Sequence, residues 1–455
     1  MEEQLAEMAA KIATLEEGVA MTTAVNMEVF YWWCTALMFI IHAGFLGYEM
    51  GASRKKNVLA SGMKNILAFA FVLPTFFFVG WWIYLASPGG LPDFSAETGG
   101  APWSENMGPN LEDNASGIFW AAFALFSATT ASIFSGAVIE RIKLSGFIIL
   151  AVLLGSVVWI LGGAWAWHGD GWLLTEFGWH DFGAAGCVHM IAAFFALGVL
   201  INLGPRIGKF NPDGTANEIR PHNIPLATFG LMVLIVGFFG FLGGCIIYNG
   251  TGQWTTIFGN PATLSAVAFN TLMCFSGGII GGWLAGRDPF WMMSGALAGI
   301  FAAASGLDVY WPPLAFLLGL CGGIIAPIGA KWLETTFKID DAVGAVSVHG
   351  FAGAFGVVAF GIFASGYPNG DYPDTNLLGQ VIGAVTMAVL GFVPGYVVSL
   401  ILKVVGLLRI PEHIEIMGMD LAEVPVSAYP EGMYTPYGKG AAAAAAAGGV
   451  ATPAE

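Results

Sequence analysis

Long apolar runs separated by short polar loops fill most of the chain. They fall at roughly 28–50, 63–87, 115–139, 144–166 and 182–203, then at roughly 224–248, 261–286, 289–305, 311–332, 341–366 and 376–403. Most match the ~20 residues a helix needs to cross hydrocarbon, about twice the ten-residue alternating segment of a membrane β-barrel. The pattern predicts an all-α integral membrane protein whose core, 28–403, holds eleven transmembrane helices. Residues 1–22 follow a different rule. Leu5, Met8, Ile12, Leu15 and Val19 repeat at 3-4-3-4 spacing among Glu3, Glu7, Lys11, Glu16 and Glu17. That spacing predicts an amphipathic N-terminal helix, either lying on the membrane or pairing as a short coiled coil. After the last span comes a tail, 404–435. The final stretch, 436–455, is a Gly/Ala/Pro/Thr segment containing Ala441–Ala447, expected to be disordered.

Composition supports the membrane reading. Of 455 residues, 56% are hydrophobic and 10% charged, with a mean hydropathy of +0.72; soluble domains carry about 25% charged residues. A water-soluble enzyme is not expected. A net charge of −15 argues against nucleic acid as a partner, since phosphate binding needs a basic face. Five cysteines lie in apolar runs without a CxxC pair, so neither zinc nor a disulfide framework is expected. The first 27 residues are polar and acidic; no cleavable signal is expected, and the first span would act as its own insertion signal.

The placement of Lys and Arg sets an orientation. Arg54, Lys55, Lys56, Arg141, Lys143, Arg206, Lys209, Arg220, Arg287, Lys331, Lys338, Lys403 and Arg409 follow alternate spans, all on one side, and Lys64 opens the second span there. Asp93, Glu97, Glu105, Glu112 and Asp113 mark the other. By the positive-inside bias the N-terminus is outside and the C-terminus cytoplasmic, in the inner (plasma) membrane.

Two short motifs recur five spans apart. GFLG occupies Gly44–Gly47 and Gly240–Gly243; VHMIA (Val188–Ala192) answers VHGFA (Val348–Ala352). This predicts two inverted five-helix repeats followed by one final helix. Three histidines, His42, His189 and His349, lie at membrane depth; His168, His180, His222 and His413 lie in loops or the tail. A buried histidine is more often a packed neutral ring than a working group. His189 and His349 rise above that reading because a pseudo-twofold axis would bring them together where transporter sites lie. His42 has no such mate and is read as structural. Asp181, just before the fifth span, reads first as a helix cap.

These segments together resemble the Amt/Mep/Rh ammonium transporters: DFGAAGCVH (Asp181–His189), VSVHG (Val346–Gly350), GAVIERIKLSGF (Gly136–Phe147) and GFFGFLGG (Gly237–Gly244). The resemblance covers about 28–425 and implies a homotrimer of eleven-helix subunits, each with its own pore. It further implies that His189 and His349 are the twin pore histidines. Phe126 and Phe241 would be the stacked outer gate, Trp167 the aromatic of an outer cation site, and Asp181 an acid near it. Cys245 stands where many members have a cation-binding serine, and Gly344 where an aspartate is common. On this resemblance the loop after Trp167 is longer than in bacterial relatives, which leaves Trp165 or Trp172 as alternatives for the aromatic.

The chemistry agrees with these residue types. Aromatic faces attract a cation by about 0.5–2 kcal/mol. A bare ammonium ion in hydrocarbon costs tens of kcal/mol by Born estimates, which favours deprotonation before passage. Two imidazoles can donate to and accept from ammonia, with the proton relayed separately. Potassium has no proton to lose. The expected function is ammonium transport without a cofactor or metal. An ammonium sensor and a Rh-like neutral gas channel are the alternatives; no signalling domain follows residue 430, which favours transport. A haem-binding redox protein would need ligand pairs on facing helices. The tail around Arg409, Pro411, Glu412 and Gly418–Asp420 resembles the family's regulatory tail, where a GlnK-type protein could dock.

Overall fold

The computed structural model describes residues 1–94, 99–108, 115–248, 253–364 and 375–430; the tail segment 436–455 lies outside them. Eleven apolar helices follow the predicted runs: α1 (Glu2–Ala52), α2 (Lys55–Ala86), α3 (Gly117–Ala137), α4 (Leu144–Trp167), α5 (Ala185–Leu203), α6 (Ile224–Gly243), α7 (Leu264–Gly286), α8 (Pro289–Ala303), α9 (Pro312–Phe337), α10 (Val346–Phe363) and α11 (Leu377–Val404). Ten are long and apolar enough to cross a membrane. The exception is α8, whose 15 residues reach only about 22 Å at 1.5 Å per residue. It is buried continuously from Met293 to Ala303 and is extended by a tight turn at Ala304–Gly306, so it is a core helix of the bundle.

Local chemistry sets the helix ends. Asn223, Thr263, Asp288 and Asn376 accept backbone N–H groups from the first turns of α6, α7, α8 and α11, the usual N-cap role. Pro289 then starts α8 with its missing N–H where none is needed. Small residues allow close crossings. Gly44 and Gly51 of α1 face the α6 backbone at Gly230–Leu234 and Ala227, where any Cβ would collide. Gly278 and Gly282 of α7 meet Gly295 and Gly299 of α8 in the same way, a membrane packing mode that relies on close contact rather than on a hydrophobic drive. The outward faces stay apolar and exposed, as at Phe229, Phe269, Val385 and Ile401.

Among the boundaries that differ from the sequence reading, two change an element. The sixth run was expected to continue as helix to 248, but α6 stops at Gly243. Ile246–Tyr248 instead opens a small antiparallel sheet, β1 (Ile246–Tyr248), β2 (Trp254–Thr256) and β3 (Pro261–Ala262), in the order β1-β2-β3. Two isoleucines and a tyrosine in succession suit a strand as well as a helix. At the N-terminus, 1–22 form no separate element: they extend α1 without a break into one helix of 51 residues. Leu5, Met8, Ile12, Leu15 and Val19 stand exposed along it.

The basic residues are not all surface charges. Lys64, read above as opening the second span, is fully buried between helices. Arg206 grips Asp340 with two bonds of 2.8 Å and reaches Glu140 at 3.3 Å, and Arg54 Nε meets Glu140 at 2.8 Å. Arg141 donates to the Asp340 carbonyl. Burial alone would push the Asp340 carboxyl up; Arg141 and Arg206 outweigh it and hold it well below the usual carboxylate range. Glu140 is treated likewise by Arg206 and Arg54. This network ties the loops after α1, α3, α5 and α9 together at what we call the basic end. The tail helices α12 (Glu412–Met417) and α13 (Met419–Glu423) dock across it. Asp420 accepts the N–H groups of Leu59 and Ala60 at 3.1 and 2.9 Å, and Glu415 accepts that of Ile207 at 2.7 Å.

Candidate functional site

The two histidines predicted to meet do so. His189 on α5 and His349 on α10 are buried, with Nδ1 atoms 3.1 Å apart and ring centroids at 5.3 Å. One Nδ1 must carry the hydrogen and the other accept it, so the pair shares a single proton at that contact. The Nε2 of His189 is buried without a hydrogen-bond partner.

The local backbone explains why these rings face one another. Both sit in widened, π-type turns, Ala185–Met190 and Val346–Phe351, that open their helices. Each turn is preceded by an aspartate and then by a residue in the left-handed region. These are Asp181 and Ala184 (φ 67°) in one half, Asp341 and Gly344 (φ 75°) in the other. Asp181 Oδ2 accepts from Gly186 and Cys187 N–H at 2.8 and 2.9 Å, and Asp341 Oδ2 accepts from Val346 N–H at 2.7 Å. Asp181 Oδ1 accepts from Ser305 Oγ at 2.8 Å. The Asp181 carboxyl is thus fully buried and engaged on both oxygens, in the manner of a helix cap. Gly344, noted in the sequence as a departure, stands where the backbone requires positive φ, which glycine adopts without strain.

Toward the end opposite the basic loops, Phe126 and Phe241 lie ring against ring. Their centroids are 4.5 Å apart at 84°, edge to face rather than stacked as expected. Phe241 lies 5.6 Å from His189 and Phe126 lies 5.3 Å from Trp167. Beyond them opens a cavity of about 300 Å³ lined by Trp81, Tyr84, Phe123, Trp167 and His168, among others. Trp167 is held by its Nε1–H to the Asp181 carbonyl at 2.8 Å. Trp165 donates to the Gly90 carbonyl and pairs with Trp172; neither is in the cavity wall. Cys245 is buried off the wall, its thiol donating to the Phe241 carbonyl at 3.4 Å. A second cavity, about 330 Å³, opens at the basic end among Arg206, Lys209, Trp291, Glu334, Asp341 and Gly344.

Two features escaped the sequence reading. Phe301 of α8 lies over both imidazoles, 3.7 Å from His189 and 4.5 Å from His349 between centroids, and Phe238 packs beside it at 5.6 Å. In a chain with 35 phenylalanines no pattern singles it out. Asp341 was legible: it stands as far before His349 as Asp181 stands before His189.

Aromatic cavity, ring-closed constriction and paired buried imidazoles, set inside a bundle of membrane-length helices, define a multi-pass membrane protein with a site for a small polar solute. The Ammonium Transporter Family matches residues 29–429, and the chain belongs to that family, whose members are transporters rather than enzymes. It is 32% identical to "Ammonium transporter Amt1" of Methanocaldococcus jannaschii, over 88% of this chain and 96% of that protein. It is 35% identical to "Ammonium transporter Amt2" of the same organism, over 90% and 94%. Among solved structures it is similar to a "Sensor Amt Protein", with a TM-score of 0.78, 28% identity, and 88% and 99% of the two chains covered. Candida albicans Mep2 shares the fold at a TM-score of 0.72, 22% identity, and 90% and 92% coverage.

Proposed function

We propose that this protein moves ammonium across its membrane by binding it at the Trp167 cavity, removing a proton, and passing ammonia between His189 and His349. The observation that carries the reading is the 3.1 Å imidazole contact behind the Phe126–Phe241 closure. Rings at 4.5 Å leave no room for a hydrated ion, and a bare ion in such a place is unaffordable. Trp167, Phe123 and Tyr84 supply the faces that attract the cation first. The basic end is cytoplasmic in this reading, as the positive-inside bias requires, and the membrane is the cell's inner (plasma) membrane. The pores work as a homotrimer of inverted-repeat subunits. The tail, 404–435, is where a GlnK-type regulator would act, and 1–22 would form a short three-stranded coiled coil above the trimer.

The test is a current recording on proteoliposomes given an ammonium step, with potassium as control. Wild type should respond to ammonium alone. His189→Ala and His349→Ala should abolish transport or leave a pore with poor discrimination; a double alanine variant with unchanged rate and unchanged exclusion of potassium would defeat the mechanism. The similarity to a protein titled as a sensor favours one second reading, in which the same site reports ammonium to a partner. Ammonium binding without flux in the same vesicles would favour it.

A further inference from the structure

Away from the pore, α1, α2 and α3 enclose charge at membrane depth. Glu49 of α1 and Lys64 of α2 are both fully buried, beside Ser61, Asn65 and Ser135. Ionisable side chains inside a bilayer are expensive and mark working sites unless the cost is met by a closed, satisfied contact.

This one is not closed. Ser135 Oγ lies within reach of three acceptors: Glu49 Oε1, Asn65 Oδ1 at 3.3 Å and the Ser132 carbonyl at 2.7 Å. One hydroxyl hydrogen serves one of them. Meanwhile Lys64 Nζ, rich in donors, has no hydrogen-bond partner, and neither have Glu49 Oε2 and Ser61 Oγ. Unmatched donors and unmatched acceptors in one buried cluster call for bridging water, which supplies both. Glu49 and Lys64 interact electrostatically, and Glu140, Arg141 and Asp420 add their fields from the basic end.

The cluster has neighbours in two directions. Toward the basic end, the cluster and a residue of the cavity wall meet at Gly136. A Cβ added to Gly136 would lie 3.5 Å from Glu49 Oε1 and 2.8 Å from Val343 Cγ2, and Val343 lines that cavity. In the other direction, Thr35, His42 and Glu49 recur every seven residues on α1, one above another at intervals of about 10 Å. His42 Nδ1 is 3.4 Å from Ser132 Oγ. His42 Nε2 and Thr35 Oγ1 are buried and unpartnered.

We infer that Glu49 and Lys64 form an internal, water-bridged proton-exchange site, the basic-end station of a polar column that carries charge past the ammonia pore. The inference rests on the transport reading above. The balance is simple: ammonium gives up one proton and remains as ammonia. That proton, arriving through the His42–Ser132 column, bonds to a Glu49 carboxylate oxygen beside the Lys64 ammonium. It then leaves to water in the basic-end cavity, and nothing is oxidised or reduced. A purely structural Glu49–Lys64 fastening of α1 to α2 would not link charge movement to this carboxylate.

The experiment compares two readouts on the same reconstituted full-length protein: current after an ammonium step, and ammonia flux from the internal pH change. In Glu49→Gln, which keeps shape and loses the proton site, the current-to-flux ratio should fall at least tenfold while flux persists. Glu49→Asp, which keeps the carboxylate but shortens it, should lower the ratio by a smaller factor and serves if the glutamine variant fails to assemble. Unchanged ratios in either assembled variant, or wild-type flux without current, would overturn the inference. No ammonium-specific flux or current in wild type would instead sink the transport reading beneath it.

Discussion

Asp181 and Asp341 do the same work in opposite halves: each accepts, on Oδ2, the N–H of the residue five places on, at 2.8 and 2.7 Å. Each thereby fixes the widened turn that carries His189 or His349. They differ at the other oxygen. Asp181 Oδ1 is bonded to Ser305, while Asp341 Oδ1 is buried without a partner. Asp181→Asn forces an amide N–H against donors and should cost about 1–3 kcal/mol. Asp341→Asn can turn its amide N–H toward the free side and should cost less. Thermal melting of both variants in detergent checks the order; equal losses would contradict it.

The left-handed residues before the two turns give a second pair. Gly344 adopts φ 75° without strain, whereas Ala184 holds φ 67° with a Cβ in place. Left-handed backbone costs an L-residue roughly 1–2 kcal/mol. Gly344→Ala should destabilise by about that amount, and more because the new Cβ meets the Trp291 ring. Ala184→Gly should raise the melting temperature. The paired shifts, opposite in sign, are the measurement.

Acid should reveal the basic-end network late. Asp340 and Glu140 are held below their ordinary carboxylate range in the folded protein. Depressed folded values mean stability that is present above the unfolded pKa values, about 4, and lost as pH falls through the lower folded ones. The wild-type melting temperature should therefore fall steeply only below about pH 4. Asp340→Asn should start lower and show a shallower decline over the same acid range. Parallel curves would show that the carboxylate is not the group responsible.

Phe301 covers a face of the His189 and the His349 imidazole. Phe301→Ala should cost about 3–5 kcal/mol from the cavity it leaves. It should also admit water beside the rings and lower discrimination of ammonium over potassium. Phe301→Leu, which keeps most of the volume, should recover stability more than selectivity. Ion-substitution currents alongside melting curves separate the two effects.

Much of this was legible before any coordinates. Hydrophobic run length gave the helices because hydrocarbon thickness is a hard constraint, and VHMIA and VHGFA pointed at His189 and His349 across 160 residues. What stayed hidden has physical reasons. Phe301 is one aromatic ring among many, and only the short α8 threading the core brings it onto the imidazoles. Lys64 was read only as the basic residue that opens the second span, because one residue's burial cannot be read from its place in the sequence. Glu49 was passed over inside its apolar run, since periodicity measures the average face and not the single exception. Trp167 was one of three neighbouring tryptophans, and only the 2.8 Å bond to the Asp181 carbonyl sets it in the cavity wall.

The unbroken α1 has a mechanical consequence. Its 51 residues make a rod about 76 Å long at 1.5 Å per residue, of which only about 30 Å fits within hydrocarbon. The overhang of residues 1–22 measures about 33 Å, and no proline interrupts it. A rod of that kind is a lever: a five-degree rocking of α1 against α6 sweeps its tip sideways by about 3 Å. Glu49 and His42 ride on the same shaft. Any load on the tip is therefore delivered, without slack, to the helix that carries the buried carboxylate.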